Sequence, residues 1–162
     1  MSAPLLIFPF FQEDHIRRGR AVLRPVARFS IGAAQLVVSA LIDTGSEHVL
    51  ADSSLAVIAG IDLDDPVEVE DLGIGGGFVR ARFVEVTGVL HPPDGLHGES
   101  VSWTLDVGFI DDWRPLYPVL LGSVGFLDRF TVTVSRFAQA TVVESLDTFD
   151  ARFGTPLSPR HH

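Results

Sequence analysis

The feature that most constrains the fold of this chain is an apolar run that ends in Asp43-Thr44-Gly45-Ser46. Residues 37–42 are rich in valine, leucine and isoleucine and predict a buried β-strand. Gly45 permits a tight turn after that strand, so the carboxylate of Asp43 is presented at the strand's end. The same residues also suit an ordinary turn, because aspartate, threonine and glycine all favour turns. The motif alone therefore indicates a presented carboxylate without fixing its chemistry.

Two later segments add to this motif. Residues 73–86 read GIGGGFVRARFVEV, which predicts a glycine-rich hairpin tip followed by a strand of alternating character. Residues 118–130 read PVLLGSVGFLDRF, which predicts a short strand at 119–121 and a helical turn at 124–129. The chain thus offers a presented aspartate, a flexible hairpin and a short buried strand, in that order.

In order and separation, these three segments resemble the catalytic motif, the flap and the closing strand of retropepsin-like (retroviral-type) aspartic peptidases. The resemblance covers about residues 20–143. It implies an all-β acid-protease barrel with a glycine-rich flap hairpin and one or two short helices. Residues 1–162 are interpreted as a single domain with an N-terminal arm at 1–19 and a C-terminal segment at 144–162 whose end is flexible.

Other elements follow from turn and capping residues. A first hairpin is predicted over 20–29 and 34–42, and a helix that starts at Asp52 and Ser53 is predicted to stop at Gly60. A loop over 91–98 separates the outgoing flap strand from a strand at 100–110. Two more strands are predicted at 131–136 and 138–143.

The resemblance implies a mechanism that one copy of the motif cannot perform. In this family two facing carboxylates share a proton, one acting as a base on water while the other polarises the carbonyl. Asp106 is followed by Val107 where the motif needs threonine, and Thr148 after Asp147 is followed by Phe149 where it needs glycine, so only Asp43 qualifies. A homodimer that hydrolyses polypeptide, with one Asp43 from each subunit at the two-fold axis, is therefore implied. Segments 5–11 and 141–149 are expected to pair across the interface.

Individual roles follow from the same resemblance. Asp43, Thr44 and Gly45 are the catalytic residues: the Thr44 hydroxyl bonds across the dimer axis, and Gly45 lets substrate backbone approach. Ser46 is expected to donate a hydrogen bond to Asp43. The other substrate-binding candidates belong to the flap and the closing strand: Ile74, Gly75, Gly76, Gly77, Val119 and Leu120.

One departure concerns an ion pair. Glu47 stands where viral members of the family commonly have an aspartate, and Ser123 stands where the arginine partner is usual. Arg129 is the available substitute.

Two of the segments have alternative interpretations. A phosphate-binding loop needs a helix after its glycines, whereas a strand pattern follows residues 73–77. His91, Asp94 and His97 have tolerable metal-ligand spacing, but the prolines and glycine among them suit a plain connector. We expect no cofactor and no metal. The alternative function is an inactive module that keeps the fold for dimerisation or peptide binding.

Composition bounds the remaining possibilities. The net charge of −9 argues against a nucleic-acid partner, which needs a basic face. No apolar run approaches the ~20 residues of a membrane span, and the apolar segment 4–11 lacks the features of a signal peptide. We therefore expect a cytoplasmic protein with no membrane partner. The first 46 residues carry five arginines. We interpret them as a solvent-exposed face or as a surface that pairs with the acidic remainder of the same or a second subunit.

Overall fold

The computed structural model describes residues 6–17, 20–34 and 36–154. The described part is mostly β-structure with two short helices. In chain order the elements are β1 (Leu6–Pro9), β2 (Phe11–Arg17), β3 (Arg20–Arg24), β4 (Val26–Ile31), β5 (Val38–Ile42), β6 (Leu50–Asp52), α1 (Ser53–Ala59), β7 (Glu68–Ile74), β8 (Gly77–His91), β9 (Val101–Ile110), β10 (Val119–Leu121), β11 (Phe130–Ser135), β12 (Ala140–Ser145) and α2 (Leu146–Phe153).

Six strands close into a barrel. Their order around the barrel is β4-β5-β10-β6-β9-β8, and β8 returns to pair with β4. Strand β8 makes this closure possible because it is long enough to pair with β7 near its start, β9 along its middle and β4 at its end. Strand β7 pairs with β8 outside the closed ring, so the β7–β8 hairpin projects from the barrel.

The core fills the barrel and extends beyond it to the strand β1. Phe29, Phe109 and Phe126 are fully buried in it. Leu6 and Phe8 of β1 belong to the same core, because alternate residues of this strand point inward. The segment predicted as a separate arm at 1–19 therefore supplies part of the core.

The terminal strands form a second sheet, in the order β1-β12-β11. Strand β1 pairs with β12 antiparallel, with Leu6 opposite Val143 and Pro9 opposite Ala140. The segments predicted to pair across an interface thus meet within one chain. Within this sheet β12 has a partner on each side, and the edge strands are β1 and β11.

The predicted elements agree with the structure in most places. The first hairpin is β4–β5, but it begins after Pro25, and β3 pairs instead with β2 in a separate ribbon. Within that ribbon Arg24 pairs with Glu13 at 2.8 Å. Phe11 packs edge-on against Tyr117 with ring centroids 6.2 Å apart, which ties the ribbon to the barrel.

The helices differ from the prediction at two places, residues 124–129 and the helix α2, which was not predicted. Helix α1 starts with Asp52 as its N-cap and ends at Gly60, which has a φ of 68°. Residues 125–129 form consecutive turns in place of the predicted helical turn, and Val124 forms an isolated bridge with His48. Helix α2 has Ser145 as its N-cap, and the serine side chain accepts a hydrogen bond from the backbone N–H of Thr148. The predicted flexible tail begins near residue 153, where helix α2 ends, and residues 155–162 lie outside the described residues.

Across the described ranges, neither helix has the length and apolar character needed to cross a membrane.

Candidate functional site

Asp43 lies immediately after β5, where the strand leaves the barrel. Backbone hydrogen bonds hold this position on two sides. Ile42 N–H donates to Pro25 O at 2.9 Å, and Asp43 N–H donates to Leu121 O at 3.1 Å. The Oδ1 atom of Asp43 accepts a hydrogen bond from the backbone N–H of Gly45 at 2.9 Å. The carboxylate is half-buried and directed by its own turn, as the sequence predicted.

The Asp43 loop packs backbone to backbone against the chain that follows β10. Ser123 N–H donates to Ser46 O at 2.9 Å, and Val124 N–H donates to Glu47 O at 2.7 Å. A Cβ atom at Gly122 would lie 2.2 Å from His48 O, so only glycine permits this approach. The glycine that follows the two leucines is thus a requirement of the loop packing.

A cleft of about 390 Å³ opens beside Asp43. The Asp43 loop forms one side, and the tip of the β7–β8 hairpin forms the other. Six residues of the predicted site line it: Asp43, Gly45, Ser46, Ile74, Gly75 and Leu120. The structure therefore brings the aspartate motif, the hairpin and the closing strand to one place.

The hairpin tip turns at two glycines. Gly75 and Gly76 have φ values of 61° and 84°, and they link Ile74 to Gly77, which pair across the hairpin. Two central residues of positive φ give the tight turn that matches the twist of paired strands. A strand follows this turn, as the sequence predicted, and not the helix that a phosphate-binding loop requires.

Four predicted residues do not line the cleft. Thr44, Gly76 and Gly77 are exposed next to it. Val119 is wrong as a substrate-binding residue, because it is fully buried in the barrel core. Successive residues of β10 point to opposite faces, so Leu120 faces the cleft while its neighbours face the core.

Ser46 lines the cleft, but the hydrogen bond predicted from Ser46 to Asp43 is wrong. Its hydroxyl donates to the backbone O of His48 at 2.7 Å and so braces the loop. The hydrogen bond to the Asp43 carboxylate comes from Gly45 N–H instead. Among the described residues, neither Glu47 nor Arg129 forms a salt bridge, so Arg129 does not replace the family's usual arginine here.

The sequence prediction missed several cleft residues. His48 contacts the ring of Phe83 edge-on at 5.0 Å, and its Nε2 lies 3.6 Å from Oε2 of Glu70 on the hairpin. Leu50 and Leu72 supply apolar walls. Leu72 alternates with Ile74 along β7, which was a signal for Leu72, whereas the positions of Leu50 and His48 depend on the path of the loop.

The candidate metal loop does not converge on one point. The two ring nitrogens of His91 lie 2.8 Å from Ser30 Oγ and 3.2 Å from Ser100 Oγ, and Asp94 pairs with Arg28 at 2.7 Å. Burial and then the charge of Arg28 lower the pKa of His91. Within the described ranges, no group of three or more His, Asp or Glu side chains is placed to hold a metal ion.

No family model matches the chain, and no curated protein matches it.

Proposed function

We propose that this protein is a retropepsin-like aspartic endopeptidase that acts as a homodimer on extended polypeptide. Each subunit contributes one Asp43, and the two carboxylates share a proton and activate a water between them. The β7–β8 hairpin serves as the flap that closes over the substrate.

The observation that carries this proposal is the position of Asp43. Its carboxylate stands at the end of a barrel strand, is oriented by the Gly45 N–H and opens into a cleft that the glycine tip of a projecting hairpin borders. Leu50, Leu72 and Leu120 give this cleft the apolar walls that hold substrate side chains.

Dimerisation is part of the proposal because each chain has a single Asp-Thr-Gly motif. Thr44 is exposed beside Asp43, which leaves its hydroxyl available to the second subunit. The terminal sheet and its β11–β12 turn also present apolar side chains to solvent, among them Ile7, Val134 and the fully exposed Phe137. Contact between two such sheets would remove this apolar surface from water.

The first test is Asp43→Asn. An amide cannot share the proton, so the variant is expected to fold and dimerise normally while cleaving a peptide library at a small fraction of the wild-type rate. Mildly acidic solution should favour wild-type activity, because a close carboxylate pair then keeps its single proton. Wild-type activity in Asp43→Asn would place the chemistry elsewhere. A folded wild-type dimer that binds peptides without cleaving them would identify an inactive peptide-binding module.

The second test is dilution. Specific activity is expected to fall along the same curve as the dimer fraction measured by analytical ultracentrifugation, and Thr44→Ala should shift both curves to higher concentration. A monomer with full specific activity would contradict the shared site.

A further inference from the structure

A second cleft, of about 460 Å³, lies between helix α1 and the loop that joins β9 to β10. Val57, Trp113 and Pro115 form apolar walls. Asp112 and Arg114 stand at the rim of the same loop and are exposed. Nothing in the Asp43 motif or the flap requires a cavity at this place.

The second cleft continues the face that forms the Asp43 cleft. Leu50 and Leu120 lie directly opposite each other on β6 and β10, and both line the Asp43 cleft. The next pair on the same face is Asp52 and Pro118, and both line the second cleft. Asp52 N–H donates a hydrogen bond to Pro118 O at 3.0 Å. Two residues along a strand span about 7 Å.

Trp113 links the two clefts. It packs against the small buried cluster that contains Leu50, and Leu120 packs against the same cluster. One apolar floor therefore extends beneath both clefts.

An extended polypeptide has the same two-residue period as β6 and β10, since alternate side chains point the same way about 7 Å apart. We propose that the two clefts form one groove, in which the second cleft holds an apolar or aromatic side chain two residues from the one in the Asp43 cleft. This inference rests on the proposed function, because it takes polypeptide as the ligand.

The residues that line the second cleft determine which class of ligand side chain it can hold. Val57 is 76% exposed, which leaves an apolar surface open to a ligand. The charged groups of the lining are the carboxylates of Asp52 and Asp112 and the guanidinium of Arg114, and Ser54 N–H donates a hydrogen bond to the Asp52 carboxylate at 2.9 Å. The excess of negative charge disfavours an acidic side chain, and the apolar walls favour phenylalanine, leucine or similar residues.

Spacing-dependent binding tests this groove directly. The probes are fluorescein-labelled octapeptides of glycine and serine that carry two phenylalanines, either adjacent or separated by one residue. Binding to Asp43→Asn, which cannot hydrolyse them, is followed by fluorescence anisotropy. The separated pair should bind about tenfold more tightly, because both rings then reach apolar walls.

Matched variants locate the effect. Val57→Ser in the Asp43→Asn background should bring the ratio of the two affinities close to one, and Trp113→Ala should do the same. Ile58→Ser should keep the ratio, because Ile58 is also exposed on α1, at 58%, but borders a separate depression with Leu36. A helical serine has a similar intrinsic cost at either position, so the two helix variants differ mainly in the surface they change.

The outcomes separate this inference from the proposed function. Equal affinity for both peptides, or a spacing preference that survives Val57→Ser and Trp113→Ala, would overturn the groove. Spacing-dependent binding by a wild-type protein that cleaves no peptide would retain the groove and refute the peptidase. Cleavage by the wild-type protein, without any spacing preference in binding, would support the peptidase and refute the groove.

Discussion

Replacing Gly122 by alanine is expected to lower the free energy of unfolding by about 4 kcal/mol and to loosen the Asp43 loop. The new Cβ atom would lie 2.2 Å from His48 O and 2.7 Å from Ser46 O, both backbone atoms that cannot turn aside. Separating the two segments breaks the bonds that Ser123 N–H and Val124 N–H donate at 2.9 and 2.7 Å. Each lost bond costs about 0.5–1.5 kcal/mol, and forced overpacking adds about 1–3 kcal/mol.

Urea denaturation of the Gly122→Ala variant measures this loss, which is a large part of the ~5–15 kcal/mol that stabilises a typical domain. Gly73→Ala is the matched control, because a Cβ atom there meets nothing within 4 Å and the backbone is not left-handed. The control should change stability by less than about 0.5 kcal/mol. A loss below about 1 kcal/mol for Gly122→Ala, with the control unchanged, would refute the close backbone approach.

Three further predictions address the site, the first strand and pH. Val119→Ala should lower the free energy of unfolding by about 2–4 kcal/mol, as measured by urea denaturation. Leu120→Ser should change peptide affinity, measured by a binding assay, more than it changes stability. The reverse result would contradict the assigned faces of β10. Phe8→Ala should cost about 3–5 kcal/mol, while the same change at the half-exposed Ile7 should cost far less; equal losses would remove the first strand from the core. Because the pKa of His91 is lowered from its ordinary 6.5, the unfolded chain takes up the proton first as pH falls, so this contribution to stability is present above about 6.5 and is lost in more acidic solution. His91→Gln should therefore lose less melting temperature than wild type between about pH 7.5 and pH 5, as measured by circular dichroism; parallel curves would contradict the assignment.

Local features of the site were predictable from the sequence because each depends on neighbouring residues. The Asp43 turn, the two-glycine hairpin tip and the caps of α1 all follow from the conformations that aspartate, serine and glycine favour. The positions of the barrel strands were predictable for a similar reason, since apolar runs broken by glycine and proline mark strands.

The tertiary structure decided which face of each element meets which partner. Strand β10 is apolar on both faces, so its sequence cannot tell that Val119 enters the core while Leu120 enters the cleft. The pairing of β1 with β12 within the chain and the contact of Gly122 with His48 O join residues far apart in sequence. These arrangements depend on long-range packing, because the closure of the barrel and the packing of the terminal sheet against its core determine which face of each apolar strand is buried.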